Sequence, residues 1–241
     1  MSPAIHKAME IRFGGIQKSS LIDYPGKVSC VLFVQGCNFR CPFCHNPELV
    51  LPDDFMPRLD NDFVLDFLKN RQGLLDAVVI SGGEPTLQAE LPRFCKQLKD
   101  LGYCVKLDTN GSRPQVLEKL LSAALIDYIA MDIKSTLPNY SLFTPNKSIS
   151  DLIKRSIEII MTHSPAYEFR TTCVKPIVSE TIINDIAKSI SNAQLYALQR
   201  FKKEKVLRPE FFKDSDNGFT DKEMEQLRTI AGQWVRKCLV R

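Results

Sequence analysis

The stretch Val28–Asn46, VSCVLFVQGCNFRCPFCHN, carries two signals in direct succession. Its first half is a β-branched and aromatic run, predicting a buried strand over 27–36. At Gly36 the run breaks into a loop that packs Cys37, Cys41 and Cys44 into eight positions. A strand whose carboxyl end opens onto a chemically loaded loop is the pattern of a parallel α/β fold, where sites lie beyond the carboxyl ends of strands.

The rest of the chain repeats the strand signal. Runs at 76–83, 103–111, 127–134, 167–174 and 194–201 read as short buried strands. Between them, 59–73, 90–102, 113–125, 149–163 and 179–192 carry apolar residues at helical spacing, several opening on Asp, Ser or Pro. A last helix is expected over 220–240. About six βα units in a row imply a parallel sheet wrapped by helices. Six is fewer than the eight of a closed barrel, so the count allows an open, incomplete barrel or a doubly wound sheet. The expected division is 1–26 as an N-terminal extension packed on the barrel and 27–241 as the barrel with its C-terminal helix.

With 241 residues, 44% hydrophobic and 25% charged, the chain can bury a sizeable core without staples. A formal charge of +4 is too mild to argue for nucleic acid. No stretch approaches the roughly 20 apolar residues that span a bilayer, and the start has no leader pattern. The expectation is a cytoplasmic protein with neither a membrane nor a nucleic acid as partner. Of the eight cysteines, 30, 95, 104, 173 and 238 are scattered as small apolar residues would be. A disulfide scaffold would be shorter and more evenly studded.

The clustered three need another account. A structural zinc site takes four ligands, usually as two pairs. Cys41 and Cys44 make one pair, no second C-x-x-C follows, and His45 is badly placed beside Cys44. A zinc-ribbon adaptor is therefore the bland reading. Iron–sulfur clusters take about one thiolate per iron. Three thiolates on a four-iron cube leave one iron open to a ligand, and the missing cysteine then marks the reactive corner.

Polar residues crowd the same rim. Gly82, Gly83 and Glu84 end the second strand, Asp108 and Thr109 (in DTNG) the third, and Asp132 and Lys134 the fourth. Arg170 and Gln199 sit late in the fifth and sixth. Each has a plainer reading: a Gly-Gly turn, helix-capping carboxylates, a core Phe43, an ion pair closing the rim at Arg170. The basic run Arg200–Arg208 reads as solvated surface or as a docking edge for an acidic partner. His6 and His163 suggest no catalysis.

The C-x-x-x-C-x-aromatic-C spacing of Cys37, Cys41, Phe43 and Cys44, with GGEP at 82–85, resembles the radical S-adenosylmethionine (radical SAM) enzymes. SLIDYPGKVSCVLFVQGCNFRCPFCHNPELV (20–50) resembles the activating proteins of glycyl-radical enzymes, above all those of anaerobic ribonucleoside-triphosphate reductase; DTNG and MDIK also resemble the pyruvate formate-lyase activase. The resemblance implies a partial (β/α)6 barrel. It also implies a 4Fe-4S cluster on the three cysteines, with S-adenosylmethionine chelated to the open iron and cleaved to a 5′-deoxyadenosyl radical. It places Phe43 near the adenine, Gly82 and Gly83 against the methionine part, Glu84 by its ammonium and Lys134 by its carboxylate. Asp108, Thr109 and Asp132 would hold polar groups or a monovalent cation, Arg170 would lie near the cofactor, and His45 would sit behind the cluster ligands. Where the formate-lyase activase has a histidine on the last strand, this chain offers only Gln199. The substrate implied is a glycine in a partner glycyl-radical enzyme, anaerobic ribonucleotide reductase foremost. A flavodoxin or ferredoxin would be the electron donor. A small-molecule enzyme resembling the 7-carboxy-7-deazaguanine synthases is the rival reading.

Overall fold

The computed structural model describes residues 10–203, 205–212 and 217–241. Its one sheet has eight strands in sequence order: β1 (Phe13–Ser20), β2 (Ser29–Val34), β3 (Ala77–Gly82), β4 (Cys104–Thr109), β5 (Tyr128–Asp132), β6 (Tyr167–Cys173), β7 (Tyr196–Arg200) and β8 (Cys238–Val240). Strands β2 to β8 are parallel, and β1 pairs antiparallel with β2. Sequential order is barrel order; a doubly wound sheet would reverse at a switch point. The strands end at β1 and β8 without pairing to each other among the described residues, so the barrel is open on that side.

Helices α1 (Asn61–Lys69), α2 (Leu91–Asp100), α3 (Pro114–Ser122), α4 (Ile149–His163) and α5 (Glu180–Ser189) follow β2 to β6 in turn, and α6 (Asp221–Gly232) follows β7. Their starts are chemically set. Asp60 accepts from the backbone of Asp62 and Phe63, Ser179 from Ile182, and Thr220 and Glu223 form a reciprocal capping box.

Strand alternation sorts the two faces. Outward residues such as Leu32, Val34, Val78, Ile80, Leu107, Ile129 and Phe169 join the apolar stripes of the helices in the main core. Each such fully buried side chain stabilises the fold by about 1.5–3 kcal/mol. Inward residues change character along the strands. Toward the amino ends, Val31, Ala77, Val79, Tyr128 and Ala130 close the lumen with Tyr24. Toward the carboxyl ends, Asp108, Asp132, Arg170 and Gln199 line a cavity. The lumen is therefore apolar at its floor and charged at its mouth.

Two strands fall outside the expected six. The segment expected as an extension supplies β1, whose two glycines and exposed polar positions hide the strand period; residues 1–9, with His6, lie outside the described residues. The expected last helix is corrected: α6 stops at Gly232, and the chain turns through Trp234 to add β8 beside β7. Ala231, Val235 and Cys238 are all buried at spacings of four and three, which imitates a continuing helix. No helix among the described residues is long and apolar enough to cross a membrane.

Candidate active site

A cavity of about 250 Å3 opens at the carboxyl ends of the parallel strands. Cys37, Cys41 and Cys44 all line it, with Phe43, His45, Gly82, Gly83, Asp108, Thr109, Asp132, Lys134, Arg170 and Gln199. The expected residues thus converge on one site, Glu84 alone being absent from its wall.

The cysteine loop is fixed at several points. Gly36 donates to Leu49 O at 2.7 Å, and Arg40 folds back to donate to Cys37 O and Phe39 O at 2.7 and 2.9 Å. Arg40 N donates to Phe143 O, while Phe43 packs edge-on against the Phe143 ring. On the other side Arg208 N donates to Pro42 O, and His45 stacks on Phe201 with Nε2 2.8 Å from Lys202 O. That contact occupies one of the two ring nitrogens and fixes the ring beside Cys44 at the cavity wall. The basic run lies against the cysteine loop through these bonds.

The glycine pair explains how the two rims meet. A Cβ on Gly83 would stand 2.2 Å from Gly36 O, and one on Gly82, whose φ is +107°, would stand 2.5 Å from Val34 N. Without side chains, Gly83 N reaches Val34 O and Glu84 N reaches Gly36 O, both at 2.8 Å. The root of the cysteine loop is thereby stitched to the end of β3.

Glu84 faces the other way. Fully buried, it accepts from Thr86 N, Thr86 Oγ1 and Thr109 Oγ1 on one oxygen and from Asn110 N on the other, at 2.5–3.1 Å. Burial raises its pKa against the pull of those donors. Its carboxylate is a brace joining the ends of β3 and β4.

Across the lumen runs a row of alternating charge. Lys106 bonds Asp108 at 2.7 Å, Arg170 bonds Asp108 at 3.1 Å and Asp132 at 2.7 Å, and Lys134 bonds Asp132 at 2.9 Å. Register places Asp132 beside Arg170, so the long guanidinium can also reach back to β4. Arg170 closes the rim ion pair and also lines the cavity. Burial opposes the charge on Asp132, but Arg170 and Lys134 outweigh it and hold the carboxyl well below its usual range. Asp108 is lowered likewise, burial being overcome by Arg170 and Lys106. Burial also works against the Lys134 charge, yet Asp132 leaves its pKa raised. Three cations against two carboxylates give the row one positive charge in excess. Lys134 Nζ also lies 5.8 Å over the Phe43 ring. Thr109 Oγ1 is taken by Glu84 and Gly111 N, and both carboxylates by the cations.

The thiols fit a metal–sulfur group by chemistry. All eight cysteines are free. Burial pushes Cys37 up to about 11 and Cys41 up to about 12, and raises Cys44. Such thiols stay protonated near neutrality, and a bound metal is what would hold them as thiolates. One loop supplies three, and among the described residues no fourth cysteine lines the cavity.

Asn38, Ser81 and Thr172 share this region without having been singled out by any motif. Ser81 Oγ donates to Asp108 at 3.1 Å and Asn38 Nδ2 to Ser112 Oγ at 2.9 Å. Ser81 and Thr172 sit at inward, late-strand positions, a signal that alternation could have exposed.

The family model for the radical SAM superfamily matches residues 31–163. The chain belongs to the radical SAM superfamily. A Methanocaldococcus jannaschii protein, provisionally named a glycyl-radical enzyme activating enzyme, is 36% identical over 97% of this chain and 97% of its own length. The pyruvate formate-lyase-activating enzyme of Listeria monocytogenes is 32% identical over 59% of this chain and 60% of its own. Among solved structures, Streptococcus suis SuiB bound to S-adenosylmethionine superposes with a TM-score of 0.63 over 85% of this chain and 48% of that one, at 13% identity. That likeness concerns the fold. This radical SAM protein is an enzyme of the glycyl-radical activating type, and the family implies a 4Fe-4S cluster and S-adenosylmethionine.

Proposed function

We propose that this enzyme installs a glycyl radical on a partner protein, anaerobic ribonucleoside-triphosphate reductase. The observation that carries the reading is the set of three free thiols on one loop, facing a cavity whose opposite wall is the charged row. When bound, the cluster would supply the electron that cleaves S-adenosylmethionine to the 5′-deoxyadenosyl radical, which takes a glycine Cα hydrogen.

The chain's own residues have separable tasks. Cys37, Cys41 and Cys44 hold the cluster. Lys134 and Arg170, with the excess positive charge of the row, hold the carboxylate of the methionine part. Gly82 and Gly83 present bare backbone beside it, with Glu84 bracing them from behind. Phe43 and Gln199 bound the adenine side, and Phe43 with Val50 keeps that wall apolar. The row engages Asp108 and Asp132 internally, so a monovalent cation would have to compete with Arg170 for them.

Trans action is supported by the open side between β1 and β8, which can admit a loop of another protein. The sequence has no four-cysteine ferredoxin insert between Cys44 and Gly82, and its full-length relative is of comparable size. A flavodoxin or ferredoxin would deliver the electron. The test is to mix anaerobic, reduced enzyme and S-adenosylmethionine with the candidate reductase and record an electron paramagnetic resonance (EPR) spectrum. A glycyl-radical doublet on the reductase is expected. Its absence, with turnover of a small-molecule substrate instead, would favour the 7-carboxy-7-deazaguanine synthase-like reading.

A further inference from the structure

Asn110, the third residue of DTNG, has no task in the site so far. It is buried, lines the cavity, and is held from three sides. Its backbone N donates to Glu84 Oε2 at 2.7 Å. Its side-chain Oδ1 accepts from Ser112 N at 2.9 Å, and its Nδ2 donates to Asn38 Oδ1 at 3.0 Å. The same Nδ2 stands 3.9 Å from Cys37 Sγ.

These partners fix which way the amide points. Exchanging its oxygen and nitrogen would set two N–H groups against each other at Ser112 and two oxygens at Asn38. One Nδ2 hydrogen is used by Asn38, and the second is left for the sulfur. Asn38 is itself anchored, since its Nδ2 donates to Ser112 Oγ. Cys37 Sγ also accepts from Phe39 N at 3.4 Å. Among the described residues no side chain donates to the sulfur of Cys41 or Cys44.

We propose that Asn110 is a positioning residue that donates a hydrogen bond to the Cys37 thiolate of the bound cluster and raises the cluster's reduction potential. The inference rests on the cluster assignment above. In the step concerned, a reduced flavodoxin or ferredoxin loses one electron, the cluster gains it, and no bond forms or breaks. The added negative charge spreads over the sulfurs, where an N–H donor stabilises the reduced form more than the oxidised one. The brace from Glu84 gives this donor its fixed aim, so the Gly-Gly-Glu stretch and DTNG would act together on one sulfur.

The test is an EPR-monitored redox titration of the wild type, Asn110→Ala and Asn110→Asp, each reconstituted anaerobically with iron and sulfide. Asn110→Ala should make reduction about tenfold less favourable, 59 mV more negative for a one-electron couple. Asn110→Asp keeps the acceptor for Ser112 N but turns an oxygen toward the sulfur, so its midpoint should fall further. A purely structural role would lower the amount of cluster and leave the midpoint of the loaded fraction unmoved. An Asn110→Ala midpoint equal to the wild type overturns the inference; if that variant takes up no cluster, an unshifted Asn110→Asp midpoint does so. Failure of the wild type to take up iron and sulfide would instead remove the cluster assignment itself.

Discussion

Replacing Gly83 by alanine tests how the cysteine loop is held. The new Cβ would lie 2.2 Å from Gly36 O, 2.7 Å from its carbon and 3.1 Å from Leu49 O, all backbone atoms that cannot rotate away. Ordinary contact requires the two strand ends to separate by about 1 Å. That shift strains the bonds Gly83 N to Val34 O and Glu84 N to Gly36 O, each worth about 1 kcal/mol net. Overpacking adds about 1–3 kcal/mol. A loss of about 3 kcal/mol is expected, or on the order of 10 °C in melting temperature for a chain of this size. The loss would accompany displacement of Cys37 and reduced iron uptake. The assay is anaerobic urea unfolding of the metal-free protein, then iron and sulfide per chain after reconstitution. Gly232→Ala is the control, because nothing lies within 4 Å of its Cβ position; there a gain of up to about 1 kcal/mol is expected from helix propensity. A Gly83→Ala variant within about 0.5 kcal/mol of the wild type, with full iron, would refute the close-approach argument.

Single alanine variants of Cys37, Cys41 or Cys44 should lose 5′-deoxyadenosine formation under dithionite, whereas those of Cys30, Cys95, Cys104, Cys173 or Cys238 should keep most of it; an active Cys41 variant would contradict the ligand assignment. Arg170→Met strands Asp108 and Asp132 without their shared partner, and a loss of about 3–5 kcal/mol is expected by denaturant titration. The pH dependence follows from the same row. Asp108 and Asp132 have folded pKa values below their unfolded ones, so their stabilisation is complete above about pH 4 and is lost as pH falls toward the folded values. In Arg170→Met the acid unfolding midpoint, followed by circular dichroism, should move to higher pH. Glu84→Gln turns an N–H toward Asn110 N and should destabilise the metal-free protein by about 1–3 kcal/mol; an unchanged stability would mean the brace is idle.

How far the sequence could be read depended on what each residue is judged against. Helix α4 was legible to its ends at 149 and 163 because fifteen residues of unbroken apolar spacing outweigh any local ambiguity. Strands β2 to β7 were legible because both faces are buried near their amino ends. Strand β8 was hidden, since three residues carry no period and Cys238 falls in step with the preceding helix. Strand β1 was hidden by Gly14 and Gly15. The gathering of Cys37, Asp132, Lys134 and Arg170 at one mouth followed from their shared position at strand ends. The direction of a side chain did not follow. Nothing in GGEP says that Glu84 turns into the wall, and nothing in DTNG says that Asn110 points at a sulfur, because both depend on contacts across strands far apart in the chain.

The central claim is that one loop anchors a cluster with an unliganded iron that S-adenosylmethionine can occupy. It is tested most directly by reconstituting the protein without oxygen, measuring iron and labile sulfide, and adding S-adenosylmethionine with dithionite. About four of each per chain, with 5′-deoxyadenosine and methionine released together, is the expected result. A colourless protein holding a single zinc, with S-adenosylmethionine left intact, would contradict it.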